Sequence, residues 1–324
     1  MSRRLTAASL LALLLALTSL LAGGGVWGAF TTKAASSASN TITAATDFRA
    51  PTASAATIGK TPGGIDGLIK KSGTYYVYAS VTDTGNPASG IASVTANVST
   101  ITSGQTAAAL TAGTYTADGA SYNYRSASLT AGSTLAAGSL SYSLTLKDTA
   151  GNSRTESGFT VTVDNTAPAG ADIQTTNGGA VAGRADAGDK ITFTFSKEID
   201  PNSVLAGWSG ASTAVVVRLN NATNDTATIF NSTNATQLPL GSINLGRTDY
   251  TTANVTFGAS GTASTMVMSG NQIIITLGTQ SAAATTAAAT GTMSWTPSAT
   301  ATDAAGNATS TTAVNESGTA DKEF

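Results

Sequence analysis

Two stretches of the chain close on the same five-residue turn. Asp148-Thr-Ala-Gly-Asn152 ends one long Ser/Thr-rich segment, and Asp303-Ala-Ala-Gly-Asn307 ends a second. Each follows residues that alternate apolar and polar: Leu140, Tyr142, Leu144 and Leu146 in the first, Met293 and Trp295 in the second. Alternation at period two is the mark of a strand buried on one face. The turn itself has a mechanism, because Asp and Asn bond nearby backbone and Gly supplies a positive φ. The same punctuation twice in one chain predicts internal repetition of an all-β module. The 324 residues fit that reading, since they accommodate about two domains at roughly 150 residues each.

Composition then restricts the chemistry. The chain is 41% hydrophobic, enough to build cores, yet only 10% charged, against roughly 25% in ordinary soluble domains. Its surface must be wetted by Ser, Thr and Asn, and threonine suits a half-exposed pleated face. There is no Cys and no His. That excludes disulfides, thiolate nucleophiles, c-type haem, Cys/His zinc sites and triads with an imidazole base. Carboxylate, Lys and Tyr chemistry remains open, but loss of the two commonest catalytic side chains points away from an enzyme. A net charge of −2 without a basic stripe points away from nucleic acid.

The N-terminus reads as an export signal. Met1-Ser-Arg-Arg4 is basic, Leu10 to Ala22 is an apolar run, and Gly23-Gly-Gly25 breaks it. Val26-Trp-Gly28 leaves small enough residues for cleavage between Gly28 and Ala29. An uncleaved signal anchor is the alternative, because the uncharged run from Leu5 to Thr32 is long enough for a bilayer of about 30 Å. Three consecutive glycines weaken a continuous helix and favour cleavage. Either way the mature chain is expected outside the cell or at its surface, touching the membrane only through this segment if it is retained.

The rest divides at its punctuation. Residues 29–49 are an Ala/Ser/Thr-rich flexible lead. Residues 50–166 form a first module whose strongest strand is Gly73 to Val81, with Tyr75, Val77, Ala79 and Val81 on one face. Ile91 to Val98, Tyr122 to Tyr124, Leu140 to Leu146 and Phe159 to Val163 supply further strands. Residues 167–324 form a second, with strands at Lys190 to Phe195, Val215 to Leu219, Asn254 to Phe257, Met266 to Met268 and Gln272 to Leu277. Short strands separated by turn signals predict sandwiches. The Ala/Thr tract 282–289 reads as a loop or weak edge, and no amphipathic helix is expected beyond the signal.

Two resemblances add to this. Trp27-Gly-Ala-Phe30-Thr-Thr, a Ser/Ala stretch and Asn40-Thr-Ile42-Thr-Ala44 resemble the start of exported bacterial proteins with a SipW-type signal peptide, the TasA/camelysin group of biofilm-matrix and surface proteins. The likeness covers about 20 residues and bears on the export route. The Tyr/Val-rich strand, the Asp-x-Ala-Gly-Asn turn and the seam Asp164-Asn-Thr-Ala-Pro168, in that order, resemble tandem bacterial Ig-like repeats. Asp189 to Pro201 resembles the second strand of another bacterial Ig-like type. Together they imply an all-β chain: two tandem Ig-like β-sandwich domains after an N-terminal signal helix. The function they imply is a non-catalytic structural or adhesive protein, as a spacer, adhesive unit or matrix component. Its partners would be further copies of itself, other surface or matrix proteins, or glycans. Residues 29–48 could add as a donor strand to a neighbour's sheet. Peptidase activity by analogy with camelysin lacks the histidine ligands.

Candidate sites are few and scattered. No cofactor is expected except Ca²⁺, for which Asp186 and Asp189 in an acidic loop, and Asp148 and Asp303 in the repeated turns, are the candidate ligands. The same residues also suit tight turns without any ion. Glu198 and Asp200 share one side of a strand end and could act as a carboxylate pair, or could simply open a turn at Pro201. Tyr76 and Tyr78, opposite the Tyr75 face, are the candidate binding strip. Trp208 and Trp295 read as core filling, and Asn-x-Ser/Thr sequons such as those at Asn97, Asn221, Asn231 and Asn234 as products of composition. A carbohydrate-binding module and a calcium-stiffened adhesin segment are the alternatives.

Overall fold

The computed structural model describes residues 47–60, 65–85 and 87–324; the signal segment, its Gly28–Ala29 junction and the lead up to residue 46 lie outside the described residues. The described chain is all-β, in two large sheets. The first contains β1 (Thr52–Lys60), β2 (Leu68–Ile69), β3 (Thr74–Thr82), β4 (Ile91–Asn97), β5 (Ala108–Ala117), β6 (Ala120–Ser126), β7 (Leu129–Thr130), β8 (Gly138–Asp148) and β9 (Ser153–Val163). They run in the order β1-β3-β6-β5-β4-β8-β9-β2, with β7 beside β3. Among the described residues, only β2 and β9 pair in parallel.

Period two explains this sheet's core. Tyr75, Val77, Ala79 and Val81 of β3 are all buried, as are Tyr142, Leu144 and Leu146 of β8 and Val161 and Val163 of β9. They meet Ile58, Val94, Ala96 and Val98 in one cluster. β5 and β6 are joined by Asp118-Gly119, both with positive φ (+44° and +75°), as a two-residue hairpin turn requires. The sheet nearly closes on itself. The amide of Gly67, just before β2, donates to Ile58 O of β1 at 2.8 Å, so the two ends of the strand order meet.

The second sheet contains β10 (Gly170–Thr176), β11 (Lys190–Phe195), β12 (Thr213–Asn220), β13 (Thr226–Asn231), β14 (Ser242–Asn244), β15 (Val255–Phe257), β16 (Ser264–Ser269), β17 (Gln272–Thr276), β18 (Ser294–Thr296) and β19 (Val314–Asn315). Their order is β10-β11-β17-β16-β12-β13-β14-β18-β19, with β15 beside β12. This sheet also curls round its own core. Trp295 is fully buried with its ring edge-on to Phe193 and Phe195, at centroid distances of 5.2 and 4.9 Å. Its indole N–H donates to Leu240 O at 2.6 Å. Gly170 lies so close that an added Cβ would meet Trp295, Pro297 and Val314 at 3.0 Å. This holds β10 against the far end of the sheet.

Several elements differ from expectation. β1, β5, β10, β13 and β14 arise in Ala/Thr/Gly- or Asn-rich sequence with few large apolar residues. Asp200-Pro201 begins a single helical turn, α1 (Pro201–Val204), rather than a simple turn: Asp200 accepts the Asn202 N–H, and Pro201 needs no donor there. The tract 282–289 is a loop that buries Ala284 and Ala287. Among the described residues, no helix is long and apolar enough to cross a membrane.

Candidate functional site

The two repeated turns share one geometry. Asp148 N–H donates to Asn152 O at 3.1 Å, Asn152 N–H to Asp148 Oδ1 at 2.7 Å, and Asn152 Nδ2 to Asp148 Oδ2 at 2.7 Å. For Asp303 and Asn307 the same three distances are 3.1, 2.8 and 2.9 Å. Gly151 and Gly306 sit at φ +97° and +89°, open to glycine without steric cost. Each asparagine amide also reaches outward, Asn152 Nδ2 to Asp47 O at 3.2 Å and Asn307 Nδ2 to Asp164 O at 2.9 Å.

Asp47 and Asp164 therefore hold equivalent places. Both open the pattern Asp-x-x-Ala-Pro, as Asp47-Phe-Arg-Ala-Pro51 and Asp164-Asn-Thr-Ala-Pro168. Sequence reasoning missed Asp47, and that spacing is the signal that could have found it. A third position completes each set. β1 pairs with β3, and continuing that register sets Asp83 opposite Pro51; β10 pairs with β11, which sets Lys197 opposite Pro168. At the first position Asp47, Asp83 and Asp148 each place a carboxylate oxygen within 4.8 Å of the others. At the second, the Lys197 ammonium lies between the carboxylates of Asp164 and Asp303, bonding both, with Asp303 Oδ2 at 2.7 Å.

Charge follows from this placement. Burial alone would raise the Asp164 carboxyl, but the Lys197 ammonium and the Thr166 N–H outweigh it and hold it below the usual aspartate range. Burial likewise opposes the Lys197 charge, and its two carboxylate partners raise it overall. At the first position, among the described residues, no lysine pairs with the three carboxylates. The Arg49 N–H and Ser89 stabilise ionised Asp47, while Asp83 accepts from the Gly85 and Gly90 amides.

The same region ties the two sheets. Lys60, at the end of β1, reaches Asp200 Oδ2 at 2.7 Å and Asp303 O at 2.9 Å. Beside it a cleft of about 930 Å³ opens between the sheets, lined by Asp118, Glu198, Asp200, Trp208 and Met268 among others. Glu198 and Asp200 thus share a cleft, but Asp200 is already engaged by Lys60 and by the start of α1. Trp208 is buried and donates its N–H to Ala211 O, so it offers no open stacking face.

The remaining candidates have structural partners. Asp189 is fully buried and accepts from the amides of Gly178, Gly179 and Asp186 at 2.8–3.0 Å. Asp186 accepts from the amides of Ala180 and Val181 and from Arg184. Gly179 is required there, since a Cβ would meet Asp186 Oδ1 at 1.5 Å. These carboxylates organise the loop 177–189 through main-chain donors. Among the described residues, no group of three close carboxylates joins them to Asp148 or Asp303. Asp189→Asn is expected to cost about 2–3 kcal/mol, because the side-chain NH2 that replaces one carboxylate oxygen would face a backbone N–H donor instead of accepting from it. Urea unfolding would measure this, with the loss equal in EDTA and in CaCl2.

Tyr78 is corrected as half of a binding strip: it is 1% exposed, covered by Tyr122 at a centroid distance of 5.6 Å. Tyr76 is half-buried and stacks on Arg125, whose guanidinium lies 4.7 Å from the Tyr76 ring and 4.5 Å from that of Tyr115. Nearby, burial and then the Asp118 carboxylate push Asp66 up to about 6. Tyr115 and Arg125 were not legible as partners of Tyr76, because they come from β5 and β6.

No known family model matches the chain, and no curated protein is significantly similar to it.

Proposed function

We propose that this chain is a non-catalytic structural or adhesive protein of the cell exterior, and that its two sheets are tandem Ig-like units acting as a stiff segment. The observation that carries this reading is the seam. The linker residue Asp164 is locked to the turn at Asp303 through Lys197 and Asn307, and Lys60 crosses from the first sheet to the second. Short charged ties of this kind limit bending between two units, whereas domains joined by a plain linker move freely. The repeated Asp-x-x-Ala-Pro and Asp-x-Ala-Gly-Asn elements support tandem units of one descent. Partners on this reading are further copies of the chain, other surface or matrix proteins, or glycans.

The test is electron microscopy with intact mass of the protein recovered from culture medium. Straight rods or fibres with mass starting at Ala29 are expected. Compact particles with freely varying angles between two lobes would defeat the stiff-segment reading.

A calcium-stiffened segment is the second reading, favoured by Lys197. Where the second unit has a lysine ammonium between two aspartates, the first has a third carboxylate, Asp83. Three carboxylates fit an oxygen-seeking cation such as Ca²⁺, which would take the place that the ammonium holds.

A further inference from the structure

The outer edge of β10 is covered by residues 316–324. Asp172 Oδ1 accepts the Ser317 N–H at 2.8 Å, Gln174 Nε2 donates to Ser317 O at 3.0 Å, and Thr175 Oγ1 accepts the Phe324 N–H at 3.1 Å. Phe324 is buried with its ring edge-on to Tyr250 at 6.0 Å, and the Tyr250 hydroxyl accepts the Glu323 N–H at 2.7 Å. An exposed edge strand invites pairing with another chain, so a covering segment matters to a protein built from sheets.

This segment carries a charge problem. Glu316, Asp321 and Glu323 each place a carboxylate oxygen within 4.8 Å of the others. Glu323 is 1% exposed; its Oε2 accepts from Thr175 Oγ1 at 2.6 Å, but its Oε1 has no hydrogen-bond partner among the described residues. A buried carboxylate oxygen without a donor is costly, and two further carboxylates beside it add repulsion. Burial, then Glu316 and Asp321, push the Glu323 carboxyl up to about 8. Glu316 is meanwhile held in place, its Oε1 accepting the Met293 N–H at 2.9 Å.

We propose that Glu316, Asp321 and Glu323 form a divalent-cation site that fastens residues 316–324 over the edge of β10. The donors are all oxygen, which selects a hard cation, and three carboxylates with water suit Ca²⁺. The ion supplies the partner that Glu323 Oε1 lacks and removes the repulsion among the three charges. It links the end of β19 through Glu316, the Gly291 contact through Asp321, and the β10 edge through Glu323.

Terbium as a luminescent calcium substitute tests the site on the full-length chain. Tyr250 lies beside Glu323 and is placed to sensitise the ion. A sensitised signal that CaCl2 displaces is expected, with binding weakened at least about tenfold in Glu323→Gln and in Glu316→Gln, since affinity tracks the number of charged ligands. Asp83→Asn, which alters the other carboxylate cluster, should leave this signal in place. Amide exchange over 316–324 should slow in CaCl2 and not in EDTA. The proposal is overturned if the chain shows no such signal, or if the signal is lost in Asp83→Asn and kept in both glutamine variants. It is equally overturned if Glu323→Gln raises the melting temperature in EDTA while CaCl2 changes nothing in the native chain, because a shared proton is then the occupant. Should Glu323→Gln fail to fold, Glu316→Gln, at a half-buried position, gives the same reading.

Discussion

Trp295→Ala is expected to destabilise the second sheet by about 4 kcal/mol, within the range for removing a buried tryptophan. Three losses combine. The indole fills the space between Phe193 and Phe195, and both edge-on contacts vanish with it. The cavity left behind cannot collapse easily, because Gly170 and Val314 are fixed in strands on either side. The Leu240 carbonyl, buried under the ring, loses the indole N–H as its donor. Calorimetry checks this. Two separate transitions, with only one lowered, would mean that the sheets unfold independently; a single lowered transition would mean that the seam couples them. Trp295→Phe should recover part of the loss but not the hydrogen bond to Leu240.

The all-β architecture was legible in the sequence because the strongest strands advertise themselves. Tyr75, Val77, Ala79 and Val81 alternate cleanly, as do Ile191, Phe193 and Phe195, and these residues make the cores. The missed strands β5, β10 and β13 are mostly small or polar residues, and their few large apolar side chains, Leu110 and Tyr115, Ile173, and Ile229 and Phe230, are too sparse to carry a period-two signal. They are strands because a neighbour supplies hydrogen bonds, and that neighbour is distant in sequence. The candidate site was half legible. The paired turns at Asp148 and Asp303 stood out, but their meaning depends on Asp47 and Lys197, which reach them only through the pairing of β1 with β3 and β10 with β11. The bonding of Asp186 and Asp189 was not legible for a related reason. An acidic loop reads the same whether its carboxylates face an ion or, as here, the loop's own amides.

Lys197→Met is expected to cost about 2–3 kcal/mol, below the roughly 3–5 kcal/mol for breaking a fully buried ion pair, because the Lys197 and Asp164 side chains are 27% and 28% exposed. The larger share falls on Asp303, whose side chain is only 2% exposed and would keep Asn307 as its sole side-chain partner. The pH dependence follows from the directions of the shifts. Asp164 is held below its ordinary 3.8, so its contribution is present above that value and lost as pH falls through the lowered one. Lys197 is raised above its ordinary 10.5, so its contribution is present below that value and lost as pH rises through the raised one. Urea unfolding at pH 7 should show the full loss in Lys197→Met, and the difference should narrow as pH falls below 3.8 and Asp164 takes up its proton. The reciprocal change sharpens the argument. Asp83→Lys rebuilds at Asp47 and Asp148 the bridge that the second unit already has. It should abolish any calcium response there, the new ammonium between Asp47 and Asp148 offsetting the Gly85 and Gly90 N–H bonds that Asp83 accepts. A calcium response that survives in Asp83→Lys would mean that the two positions, though equivalent in register, do not share a cation-holding geometry.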